Sequence, residues 1–192
     1  MEKVKLKIVG LSYSQTQSGA YALVLGEEKG KRRLPIIIGG FEAQAIAIEL
    51  EKMAPSRPLT HDLFKNFADL YEININEILI YDLVEGIFFA KLICEKDGKE
   101  IELDSRTSDA IALAVRFDSP VYTYEFVLKT AGIVLDDEDY TEELEESEEV
   151  VIEEIEEELS IEELNTQLNE ALELEDYEAA SKIRDEINKR EA

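Results

Sequence analysis

Between Asp136 and Glu158 the chain carries 15 acidic residues, no basic residue, no glycine and no proline. Like charges at that density repel, so the segment reads as a solvated spacer, extended or transiently helical, and not as part of a core. It divides the chain into a domain over residues 1–132, an acidic linker over 133–158 and a C-terminal element over 159–192. Charge follows the same division. Residues 1–133 hold 16 Lys/Arg against 20 Asp/Glu, and residues 134–192 hold 4 against 25, so the formal charge of −25 belongs mostly to the tail. The near-balanced first domain leaves nucleic acid open as a partner, although a sequence pI near 4.3 argues against a polyanion binder overall.

Within the first domain, residues 3–9 alternate charged and apolar side chains with the period of a strand that has one wet face. Tyr21–Gly26 and Leu34–Ile38 read as two further strands. After Gly39 and Gly40 the pattern changes to an alanine-rich helix, ended by the break at Pro55 and Pro58. A short helix follows, with Thr60 as its cap and Asp62 at the positive end of its dipole. Strands over Ile73–Leu83, Ile87–Cys94 and Lys99–Leu103 come next, with Glu85-Gly86 and Asp97-Gly98 as turns. A second alanine-rich helix covers Ser108–Phe117, then a short strand near Val121–Thr123 and a helix ended by Gly132.

The expected fold class is α+β, a mixed or antiparallel sheet covered by helices, followed by the acidic linker and an all-α hairpin. The order strands then alanine-rich helix occurs twice, and Glu42–Ala47 (E-A-Q-A-I-A) aligns with Asp109–Ala114 (D-A-I-A-L-A). An internal duplication explains this, as do two small-residue helices packing on sheets for similar reasons.

In the tail, Ser160 caps a helix whose stripe is Ile161, Leu164, Leu168 and Leu172. A second stripe, Tyr177, Ala180, Ile183 and Ile187, follows Glu175-Asp176. Each stripe is too narrow to stabilise a unit alone, so a two-helix hairpin gains most by burying both against a second hairpin. Residues 159–190 resemble a UVR motif, centred on Glu175–Asp185. That resemblance implies pairing with another UVR-type hairpin or a second copy, as in repair subunits and chaperone adaptors.

The first domain resembles the bifunctional nuclease family over residues 4–132. The match rests on Leu34–Ala47 (L-P-I-I-I-G-G-F-E-A-Q-A-I-A), Arg57–Leu63 (R-P-L-T-H-D-L) and Asp104–Arg116 (D-S-R-T-S-D-A-I-A-L-A-V-R). Thr107 stands where the family usually has proline, a change that a helix entry tolerates. The resemblance implies an α+β domain that forms homodimers and cleaves DNA and RNA.

Phosphodiester cleavage needs an activated nucleophile and charge stabilisation on the phosphoryl group. The motifs supply Glu42, Asp62, Asp104 and Asp109 as carboxylates, and His61 as the only imidazole. Arg57, Arg106 and Arg116 are candidate phosphate clamps. Glu42, Asp104 and Asp109 are the candidate ligands for Mg²⁺ or Mn²⁺, with His61 as general base or acid and Asp62 beside it.

Structural alternatives stand next to each role: a dipole-favoured Asp62, a His61 bonded to a neighbouring loop, an Arg106–Asp109 ion pair or helix cap, a turn shaped by Asp104, a Glu42 that faces solvent. On these, the chain is instead a non-catalytic dimeric regulatory or scaffold protein that recruits a repair or proteolysis partner through the hairpin. No metalloprotease, serine hydrolase or phosphate-loop pattern is present. The basic run Lys29, Lys31, Arg32, Arg33 reads as a solvated hairpin tip, and the aromatic residues are not interleaved with basic ones along the chain. A single cysteine, Cys94, and an N-terminus unlike a signal peptide lead to the expectation of a soluble bacterial cytoplasmic protein without a membrane segment.

Overall fold

Two tight turns set the register of half the sheet. Glu85 and Gly86 both have positive φ (52° and 82°), as do Asp97 and Gly98 (52° and 72°), the backbone of two-residue hairpin loops whose twist matches that of the flanking strands. They join β4 (Asn74–Val84), β5 (Ile87–Lys96) and β6 (Lys99–Arg106) into an antiparallel meander. A first meander, β1 (Lys3–Tyr13), β2 (Ala20–Glu27) and β3 (Arg32–Gly39), is likewise antiparallel. The computed structural model describes residues 2–14, 19–53 and 55–134, together with Leu168, Asn169, Arg184 and Ile187.

Each meander runs into an 11-residue helix, α1 (Gly40–Leu50) after β3 and α3 (Thr107–Phe117) after β6. The repeat is therefore three strands and a helix, one strand longer than the strand-strand-helix unit read from the sequence. Between the halves lies α2 (Thr60–Leu70), and after α3 come β7 (Val121–Tyr124), α4 (Glu125–Ala131) and β8 (Ile133–Val134). The eight strands form one mixed sheet in the order β6-β5-β4-β7-β1-β2-β3-β8. β7 joins the two meanders, parallel to β4 and antiparallel to β1. The architecture is α+β, and β8 carries the sheet two residues past the boundary expected at 132.

The core is made of aliphatic strand residues, among them Leu23, Leu25, Leu34, Ile78, Ile80 and Leu92, under α1 and α3. Alanine dominates the helices where they are buried: Ala43, Ala45 and Ala47 in α1, and Ala110, Ala112 and Ala114 in α3. These side chains occupy little volume, so α1 packs directly against α3, and α2 packs against α3 as well. At the start of α2 the structure differs from the expectation of a Thr60 cap. Leu59 is the N-cap residue, and the Asp62 carboxylate accepts the Leu59 N–H at 2.8 Å, so Asp62 satisfies the helix end.

The chain divides into two units, Met1–Val151 and Ile152–Ala192. In the second, Leu168, Asn169, Arg184 and Ile187 are helical and Ile187 is buried. The expected partner-binding residues Leu164, Leu172, Tyr177, Ala180 and Ile183, and the linker from 135 onward, lie outside the described residues. Among the described residues no helix is long and apolar enough to cross a membrane.

Because Ala110 is fully buried, Ala110→Leu overpacks this layer and should cost about 1–3 kcal/mol in a urea-unfolding measurement, with the circular dichroism of the folded state retained.

Candidate functional site

The repeated topology places Glu42 and Asp109 at the same point of each half, the third residue of the helix that follows a meander. Since α1 and α3 pack together, the two carboxylates reach one guanidinium. Arg106, the residue before α3, donates from Nη1 to Glu42 Oε1 at 2.8 Å, from Nε to Asp109 Oδ2 at 2.7 Å and from Nη2 to Asp109 Oδ1 at 3.1 Å. The Arg106 side chain is 69% exposed, and those of Glu42 and Asp109 are 17% and 28% exposed. Gly39 makes room for this: a Cβ there would lie 2.6 Å from Glu42 Oε2 and push the carboxylate out of line.

His61 enters from α2. Its Nε2 lies 3.1 Å from Asp109 Oδ1, so a neutral ring with the proton on Nε2 donates to that oxygen. Burial is the largest influence on the Asp109 carboxyl and pushes its pKa up, but the hydrogen bonds and charges of Arg106 and His61 outweigh it and hold the pKa below the ordinary aspartate value. Asp109, followed by Glu42, in turn raises the pKa of Arg106. The result is a four-residue cluster at the starts of three helices.

The neighbour of His61 belongs to a different group. Asp62 Oδ1 accepts from Arg116 Nε at 2.6 Å, and Arg116 Nη1 donates to Ala45 O at 3.0 Å and Ala112 O at 2.9 Å. One arginine in the last turn of α3 thus ties α1, α2 and α3 together. Its side chain is 3% exposed, and its Nη2 has no hydrogen-bond partner among the described residues. Burial again pushes the Asp62 pKa up, and Arg116 with the Leu59 N–H brings it below the ordinary value. Arg116, a candidate phosphate clamp, is enclosed, and Asp62 is committed to a helix end and an ion pair.

The remaining candidates stand apart. Asp104 is exposed on β6 and accepts a long hydrogen bond from Tyr81 Oη at 3.3 Å. Arg57 is exposed in the segment between Pro55 and Pro58, without an ion pair to other described residues. Arg32 of the basic run is taken up by Glu27 and Glu125, which bind β3 to α4. Folding does interleave some basic and aromatic side chains that the linear sequence separates, with Lys3 over Tyr122 and Lys91 over Tyr81, yet each lysine also pairs with a glutamate.

Among the described residues no three carboxylate, histidine or cysteine groups are gathered as a metal site. Both oxygens of Asp109 and one of Glu42 face Arg106, so the guanidinium occupies the side from which a cation would be held. As placed, the donors do not fit Mg²⁺ or Mn²⁺. The Glu42–Arg106 contact is what sequence reading missed, although the alignment of E-A-Q-A-I-A with D-A-I-A-L-A already put Glu42 opposite Asp109.

A family model described as the bifunctional nuclease domain matches residues 23–136, a span that contains all four cluster residues. A second, described as the UvrB/uvrC motif, matches residues 158–192. An uncharacterized protein of Mycobacterium tuberculosis, the same match in two strains, is 40% identical over 134 residues, which make up 70% of this chain and 79% of that protein. Bifunctional nuclease 2 of Arabidopsis thaliana is 26% identical over 116 residues, 58% of this chain and 35% of that protein.

Two stability measurements separate the ion pairs. Arg116→Met strands Asp62 without its partner and should cost on the order of 3 kcal/mol. The lowered carboxyl pKa values of Asp62 and Asp109 contribute stability that is present above the ordinary aspartate value, about 3.9, and is lost as pH falls through the lower folded-state values. Melting temperature should therefore drop as the pH falls below about 4, and Asp62→Asn should be less stable at neutral pH with a shallower acid drop.

Proposed function

The chain belongs to the bifunctional nuclease domain family, and from that premise we propose that it cleaves nucleic-acid phosphodiesters at the Glu42–His61–Arg106–Asp109 cluster. The observation that carries this reading is the convergence on Asp109: the only imidazole of the chain and an exposed guanidinium both bond to that one carboxylate.

Each residue has a role that its bonding suggests. Asp109 holds the His61 ring by Nε2 and leaves Nδ1 to take a proton from the attacking water or hydroxyl, while the oxygen released from phosphorus takes its proton from solvent. Arg106, mostly exposed at the cluster's outer side, presents positive charge to the phosphoryl oxygens and stabilises the charge that builds up there. Glu42 keeps Arg106 from folding entirely onto Asp109. No step passes through a metal, because the carboxylates that would hold one are matched by Arg106. The C-terminal motif, in this reading, recruits a partner that carries a similar hairpin.

A second reading is a dimeric, non-catalytic scaffold. It draws on Leu63, Phe67, Leu70 and Tyr71 along α2, which are 65%, 54%, 77% and 50% exposed and make an apolar row suited to pairing with a second copy.

Cleavage of labelled single-stranded and duplex DNA and RNA, in EDTA, Mg²⁺ and Mn²⁺, tests the two. On the nuclease reading the wild type cuts, and His61→Ala and Arg106→Gln each lower kcat by about a hundredfold or more while remaining folded. Absence of cutting in the wild type, with a monomer produced by Phe67→Glu in sedimentation, would select the scaffold.

A further inference from the structure

Beside the cluster lies a groove of about 490 Å³, within the size range of small-molecule sites. It is lined by Pro35 and Ile37 of β3, by Leu83, Ile87 and Phe88 of the β4–β5 hairpin, and by Arg106 and the start of α3. Its walls expose large apolar side chains, Ile37 at 51% and Ile87 at 63%. A hydrogen bond from Thr107 Oγ1 to Phe88 O at 3.2 Å fastens the hairpin wall to the start of α3, so the groove and the cluster keep a fixed separation.

This pairing of surfaces sets a chemical requirement on the occupant. The walls favour a flat apolar group, and Arg106, which lines the groove, is the residue that the proposed cleavage uses for phosphate. A nucleotide with its base unpaired and unstacked meets both demands, the base between Ile37 and Ile87 and the phosphate at Arg106. In a duplex the bases are stacked inside and only the backbone would reach the groove. We infer that the Ile37–Ile87–Phe88 groove is a nucleobase subsite that makes the chain selective for single-stranded nucleic acid. The inference rests on the proposed nuclease reading and adds to it the form of the substrate.

Anisotropy of a labelled short oligothymidylate with cleavage-resistant phosphorothioate linkages, against a blunt duplex of the same length, tests it on the full chain. Ile37→Ala with Ile87→Ala removes the apolar walls without adding charge, and both positions are exposed enough to leave folding intact, which a melting curve verifies. The expected result is single-strand binding stronger than duplex binding, weakened about fivefold or more in the double variant, the low end of what one lost base contact costs. In the cleavage assay KM should rise by a similar factor with kcat within about twofold. Cutting and binding unchanged in the double variant would overturn the subsite and leave the nuclease reading standing; no cutting and no binding by the wild type would overturn both. Unchanged binding together with a loss of dimer mass would give the groove to a second copy of the chain.

Discussion

The contact between α1 and α3 is the constraint from which the rest of the domain follows. Alanine at Ala43, Ala45, Ala47, Ala110, Ala112 and Ala114 lets two buried helices share one layer over the sheet. With larger side chains the helices would separate, and Glu42 and Asp109 could no longer reach the same arginine. The chemistry of the site is thus set by the smallest apolar side chains of the core. Because the carboxylates sit at equivalent points of a repeated unit, packing the two helices brings like charges together, and Arg106 is the group that makes this tolerable.

Two adjacent residues of α2 divide the work. His61 faces Asp109 in the open cluster, while Asp62 faces Arg116 in the enclosed one. The enclosed pair holds the three helices in place, and the open cluster keeps an arginine and an imidazole within reach of solvent. A motif that reads in the sequence as one functional unit, R-P-L-T-H-D-L, thereby sends two adjacent side chains to different arginine-centred groups. The two sites differ in the burial of their arginines: the Arg116 side chain is 3% exposed and that of Arg106 is 69% exposed.

Local features were legible in the sequence. The turns at Glu85-Gly86 and Asp97-Gly98, the alternation in β1 and the alanine-rich helices depend on neighbours in the chain, and the structure has them close to where the pattern put them. What was not legible depends on distant partners. Nothing near Arg116 announces that it will be enclosed, since an arginine late in a helix is ordinarily a solvated end of the dipole. Thr60 has the side chain of a cap, but Asp62 reaches the Leu59 N–H and takes the role. The bond of Arg106 to Glu42 spans the two repeats, and only the fold brings it about. Thr107 at the entry to α3 uses its hydroxyl on the carbonyl of Phe88.

β7 is four residues long, yet among the described residues it is the strand that makes one sheet of two. It comes late, after both meanders and three of the helices have been laid down. Until it arrives, β1 and β4 each present an unpaired edge, and the first meander waits on the ribosome with an exposed row of backbone donors and acceptors. Lys3 and Lys5 lie in the stretch of β1 that pairs with β7, and their charge discourages premature pairing with another chain. The closing contacts therefore link residues near 5 with residues near 122, a separation that makes assembly of this sheet slow relative to the formation of its hairpins.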